Sequence, residues 1–259
     1  MYVERPGDHQ VEIGSEGGHA LVKTTTTMPA GPGVMAYGGF ATKDRHFNPG
    51  LSGTTVFEVS LLDYTPGGEF LNKYVDAYGL PSEAEDPVAG RYQMGWCLAI
   101  GSFASFISGR EDKFKDRAVQ FGFDWWSKYG FSPWIARNII PGDEQKYPTW
   151  DPKKQPMHTM SKPFVAQPCL VLGHRKNPTG EGGSPLGHRY GLCLADGGNT
   201  VSWTLDGKVM DTADIGGFFA SSPEVGKQGV YASVCMGGSY QSNVWKLADA
   251  RIYVSKPGV

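Results

Sequence analysis

Short runs rich in Val, Thr, Tyr, Phe and Trp recur from end to end of this chain, each closed by Gly, Pro, Asn or Asp, and helical periodicity is scarce. That pattern predicts many short strands joined by turns, an all-β architecture. The strand candidates are "HALVKTTTT", "TTVFEVSLLDY", "RYQMGWCLAIG", "AVQFGFDWW", "FVAQPCLVLGHR", "HRYGLCLAD", "TVSWTLDGKVM", "GVYASVCMGG" and "DARIYV". Two tight hairpin turns are expected. One is at Gly197-Gly198 and one at Asp206-Gly207, where positive φ angles are needed. "EFLNKYVDAYG" spaces Phe70, Tyr74 and Tyr78 about one helical turn apart and predicts a short helix. Two long stretches, Thr65 to Gly90 and Ser127 to Lys162, carry little strand signal. They are predicted to be loops, the second folding over the strand that precedes it.

With 259 residues, 36 of them Gly and 18 Pro, the chain is long enough to bury a core without staples and is predicted to be a single domain over 1–259. A formal charge of -2 gives no electrostatic case for nucleic acid or acidic membranes. No apolar stretch approaches membrane-spanning length. No basic and apolar leader opens the chain, and Asn177-Pro178-Thr179 is blocked as a sequon. Four cysteines, none in C-x-x-C spacing, read as buried thiols. The expectation is a cytoplasmic protein, with a mature secreted form as the alternative. The six histidines lack metal-ligand spacing, and no glycine-rich phosphate loop opens a helix, so neither a metal nor a cofactor is expected.

His188 to Thr212, "HRYGLCLADGGNTVSWTLDGKVMDT", resembles the hairpin of laminarinase- and lichenase-type glycoside hydrolases and laminin-G-type lectins. There a His-x-Tyr strand leads to a tryptophan-bearing strand ending in Asp-Gly. Gly229 to Val254 resembles the segment that follows in the same hydrolases, and Tyr37 to Tyr64 the strand pair before their cleft. The resemblance implies a concanavalin A-like jelly roll, two antiparallel sheets with long loops over the concave face. It also implies that "AVQFGFDWW" is the catalytic strand, which in the hydrolases carries two glutamates around an aspartate. Here Asp124 is the acid on that strand. Gly122 and Trp126 or Ser127, or Gln120 and Gly122, stand where its companions would be. A retaining mechanism needs two carboxyl groups about 5 Å apart, so hydrolysis by the family's mechanism is not expected.

Strand alternation, with the sheet implied by the resemblance, gathers a set of residues on the concave face. Asp124, Gln120 and Tyr231 are the candidate catalytic groups. Glu58, Arg91, Gln93, Trp126, Ser233 and Cys235 are candidate ligand contacts, with Trp134 and His158 reaching in from the long loop. Cys97 is expected close to Cys235. Asp124 would move a proton if burial raised its pKa, and otherwise is a charge on a solvated sheet. Glu58 also matches a structural acid of the fold that could simply pair with Arg91. Trp126 is a stacking platform or a loop anchor, and His188 is structural. The main expectation is a non-hydrolytic enzyme of isomerase, cyclase or lyase type acting on a small organic substrate. The alternative is a carbohydrate-binding, lectin-like module. The third is a glycosidase or transglycosylase whose second carboxylate is Glu58 or Asp63. Either way the partner is a small molecule or glycan. Exposed strand edges leave the oligomeric state open.

Overall fold

A computed structural model describes residues 8–31, 34–45, 47–49, 52–71, 92–102, 117–126, 130–138, 169–174 and 183–255. Along the chain run β1 (His9–Glu16), β2 (His19–Thr26), β3 (Ala36–Ala41), β4 (Thr54–Phe70), β5 (Tyr92–Gly101), β6 (Ala118–Trp126) and β7 (Gly130–Asn138). Then come β8 (Cys169–His174), β9 (His188–Ala195), β10 (Thr200–Leu205), β11 (Lys208–Asp214), helix α1 (Pro223–Gln228), β12 (Tyr231–Gly238) and β13 (Tyr240–Ser255). They form two sheets, ordered β1-β2-β13-β4-β9-β10-β11 and β3-β12-β5-β6-β7-β8, in which every named pair is antiparallel. The non-local pairings, β13 between β2 and β4 and β12 between β3 and β5, weave the chain ends into both layers.

The core lies between the sheets. From the six-stranded sheet come Trp96, Phe121, Phe123 and Phe131, and from the seven-stranded sheet Tyr190 and Trp203, all fully buried. Phe121 stacks on Trp203 with ring centroids 4.6 Å apart and planes 12° from parallel. Tyr190 packs against Trp96, Phe121 and Phe123 at 5.1 to 5.7 Å. Such pairs add about 0.5–1.5 kcal/mol each beyond area burial. Tyr190 donates its hydroxyl to the Pro185 carbonyl at 2.7 Å, and burial holds its pKa well above the usual tyrosine value.

Both expected hairpins form. The β10–β11 turn is Asp206 (φ 52) and Gly207 (φ 82), the two-residue turn whose twist matches antiparallel strands. Its tip is tied back to β9. Asp206 accepts the Arg189 N–H at 2.9 Å, and its other oxygen is 2.8 Å from His188 Nδ1. His188 thus has the structural part expected of it. Burial pushes the Asp206 carboxyl up, but the Arg189 N–H and the His188 ring outweigh it, so its pKa lies below the ordinary aspartate value. A depressed carboxylate stabilises the fold fully above its unfolded pKa, about 3.9, and the contribution is lost as pH falls through the lower folded value. Asp206→Asn, which tolerates the same φ, is therefore expected to flatten the fall in melting temperature between pH 5 and acid. An unchanged pH profile would contradict this role.

Several expectations need correction. The stretch from Ser127 contains a strand, β7, and β4 runs on through Thr65 to Phe70, so neither is wholly loop. Glu69 and Phe70 end β4 where a helix was expected to begin; residues 72–79 of that segment lie outside the described residues. The last strand starts at Tyr240, nine residues before Asp249, and bulges there (Asp249 φ 52). No helix among the described residues is long and apolar enough to cross a membrane.

Candidate functional site

β6 sets the site. Val119, Phe121 and Phe123 enter the core, so Gln120, Gly122 and Asp124 line the face of the six-stranded sheet turned away from it. Register extends this face sideways. One row is Gly39, Cys235, Cys97, Gly122 and Trp134. The next is Ala41, Ser233, Ala99, Gln120 and Ala136; on the other side Gly237, Gly95, Asp124 and Ser132 align. The floor is therefore made mostly of Gly, Ala and Cys, with a few larger polar groups standing on it.

Trp134 belongs to β7 rather than to a loop, and its indole lies over Gly122. A Cβ at Gly122 would overlap the ring carbons Cζ2, Cη2 and Cε2. Glycine is needed there because the ring occupies the space of a side chain. On this strand the aromatic ring thus fills the gap between Gln120 and Asp124, where the resemblance places a carboxylate.

The polar groups of the face are buried. Asp124 is 1% exposed, Ser233 1% and Gln120 2%. Cys97 Sγ lies 3.5 Å from both Gln120 Oε1 and the Leu98 carbonyl, and its one proton serves one of these acceptors at a time. Ser233 Oγ and Trp134 Nε1 are buried and have no hydrogen-bond partner. A buried polar group left so costs about 1–3 kcal/mol, which water or a ligand atom would recover.

The structure sets Gln120, Trp134 and, across the Trp134 ring, Asp124 side by side; Cys235 shares the Trp134 row, and Ser233 shares the Gln120 row two strands away, with Ala99 between them. It separates others. Tyr231 is on the same sheet but opposite Gly101, which pairs with Ala118, six residues from Asp124 along β6. At about 3.3 Å per residue that is roughly 20 Å. Arg45 sits over the Tyr231 ring, 5.3 Å from its centroid, so Tyr231 belongs to the far end of the strand. Glu58 is in the other sheet, on β4, with the core between it and Asp124. It lies 4.0 Å from Arg189 Nε. Asp63 is on β4 too. Gln93 is the extra residue of a β5 bulge; its carbonyl accepts from Ser239 N and lies 2.9 Å from the Tyr64 hydroxyl. The Trp126 backbone pairs with Tyr92 and Gly130, but its side chain, like all of Arg91 and His158, lies outside the described residues.

Among the described residues no group of three or more His, Cys, Asp or Glu side chains could hold a metal ion. A hollow of about 370 Å³ opens on the seven-stranded sheet between Asp8, Gln10, Lys23, Thr25, Gln241 and Ser242. Nothing in the sequence singled it out, since its residues are ordinary surface polar types.

No protein-family model matches this sequence, and the search of curated proteins found no match. Solved structures do match. The metal-free carbohydrate recognition domain of Emp46p aligns over 97% of this chain and 88% of its own, at 10% identity and a TM-score of 0.50. The Ca2+-bound exoplasmic/lumenal domain of VIP36 aligns over 97% and 90%, at 12% identity and a TM-score of 0.45. The κ-carrageenase of Pseudoalteromonas carrageenovora aligns over 93% and 82%, at 10% identity and a TM-score of 0.44. At such identities likeness speaks for architecture alone. Two antiparallel sheets in this order, with the likeness to the Emp46p domain, give the chain a concanavalin A-like jelly-roll sandwich fold.

Proposed function

We propose that this protein binds a carbohydrate on the outward face of the six-stranded sheet, around Trp134. The observation that carries the reading is the pair of buried, unpartnered polar atoms on that face, Ser233 Oγ and Trp134 Nε1. They stand over a floor of small residues with Gln120 and Asp124 to either side of the ring. A sugar supplies what such a surface lacks: hydroxyl groups for both atoms and for the carboxylate, and an apolar ring face for the indole. The Emp46p domain, a carbohydrate recognition domain by its name, shares the architecture. Glycoside cleavage by a carboxylate pair is not part of the reading. β6 carries one acid, and Glu58 and Asp63 lie in the other sheet.

The test is affinity for a panel of oligosaccharides, measured on the intact chain and on Ser233→Ala and Trp134→Phe, which keeps a ring and removes the N–H. Each lost hydrogen bond is expected to weaken binding about 5- to 10-fold, near 1 kcal/mol. Ser233→Ala should leave the unligated protein as stable as before or up to about 1 kcal/mol more stable, because it removes an unsatisfied buried hydroxyl. No binding across the panel, or binding indifferent to both substitutions, overturns the reading.

One observation favours a second reading. Asp124 is shielded from water, as an acid/base group in a non-hydrolytic enzyme would be. In that case a bound small molecule is recovered chemically altered, and Asp124→Asn abolishes the change while retaining binding. The carbohydrate reading expects the ligand back unchanged.

A further inference from the structure

Cys97 on β5 and Cys235 on β12 are directly opposed across the strand pair. Both point to the outward face of the six-stranded sheet, both are 1% exposed, and both are thiols rather than parts of a disulfide. Gly39 flanks Cys235 on one side of the pair, and on the other the Trp134 ring lies over Gly122 beside Cys97. Opposed residues of an antiparallel pair have Cα atoms about 4.5–5.5 Å apart, inside the roughly 4.4–6.8 Å that a disulfide requires. Their Cβ atoms, about 4.5–5.5 Å apart, stand at or beyond the roughly 3.5–4.5 Å of a relaxed bridge. A bond made here draws the strands together and is strained, which places it among the reducible disulfides.

We infer that Cys97 and Cys235 form a reversible disulfide, a redox-modification site in the floor of the ligand face. Its regulatory consequence rests on the binding reading above; the bond itself does not. With oxidised glutathione as the oxidant, one cysteine thiolate attacks the glutathione disulfide and expels one glutathione thiolate. The second cysteine thiolate then attacks the protein sulfur of that mixed disulfide and expels the other. Two protons leave the cysteines, two electrons pass to glutathione, and two glutathione thiols are released. The product has no S–H. Gln120 Oε1, 3.5 Å from Cys97 Sγ, loses that thiol as a donor, and its amide is released to turn on the floor next to the Trp134 ring. Oxidation therefore changes the groups that would meet a sugar.

The test incubates the folded, full-length protein with oxidised and reduced glutathione at several ratios, blocks remaining thiols, and maps peptides by mass spectrometry. The expected product has lost two hydrogen masses, links the Cys97 and Cys235 peptides, and reverts in dithiothreitol. Cys193, on β9 of the other sheet, is expected to stay outside the bridge. Cys235→Ser should give no intrachain link. Thiols that stay reduced at every ratio, or a bridge to Cys169 or Cys193 instead, overturn the inference. So does a Cys97–Cys235 link that forms only in urea. Because the mass measurement needs no ligand, its failure is separate from any failure of sugar binding. Where a sugar binds, its affinity is expected to fall at least 5-fold on oxidation and recover on reduction; unchanged affinity removes the regulatory role.

Discussion

Phe121→Ala is expected to cost about 3–5 kcal/mol of stability, the range for truncating a fully buried phenylalanine. The loss is set by what surrounds the ring. Phe121 stacks on Trp203 from the opposite sheet and touches Trp96, Phe123 and Tyr190. These neighbours are large, rigid and themselves fully buried, so they cannot collapse into the space left behind. The two sheets meet through this cluster, and weakening it weakens their union rather than one strand. A urea titration of both proteins measures the difference; a shift below about 1 kcal/mol would show that the stack contributes little beyond area.

The next residue fails in the opposite way. Gly122→Val adds bulk on the outward face, where Trp134 lies against the backbone, and three ring carbons stand in the way. Forcing a side chain into filled space costs about 1–3 kcal/mol. Valine's preference for strands recovers little of this, since the strand is already held on both sides by β5 and β7. The second consequence is functional. The ring must leave its place between Gln120 and Asp124, so sugar affinity is expected to fall more than 10-fold, beyond either single hydrogen-bond deletion. Trp134→Phe combined with Gly122→Val should recover part of the stability by making room. A Gly122→Val protein with native stability and native tryptophan fluorescence would contradict this placement of the ring.

How much of this was legible in the sequence depends on how each strand is buried. β6, β5 and β12 alternate because their core faces take large side chains and their outward faces small or polar ones. β7, "GFSPWIARN", does not alternate: Phe131, Pro133 and Ile135 face the core while Trp134 and Ala136 are buried on the other side. Burial on both faces erases the period of two, and Pro133 argues against a strand. β1, "HQVEIGSE", is an edge strand exposed over most of its length, so no apolar stripe marks it. Trp134 was noticed as a residue that could reach the exposed face of β6, and it does cover that face, but from the adjacent strand.

Glu58 illustrates a different limit. Alternation correctly turned it away from the core, with Phe57, Val59 and Leu61 pointing in. Which sheet a strand joins is decided by long-range pairing, here of β4 with β13 and β9, and no local pattern records it. The same holds for Tyr231, whose face was legible while its distance along the sheet from Asp124 was not. The turns were legible in full because Asp206-Gly207 has few other uses.

The most direct measurement is a crystal structure of the protein with a bound oligosaccharide. A sugar ring against Trp134, with hydroxyl groups at Ser233 Oγ and at the Trp134 indole N–H, is the result expected. Sugar seated instead in the hollow between Gln10, Lys23, Thr25 and Ser242 on the other sheet, with the Trp134 face unaltered, would contradict it.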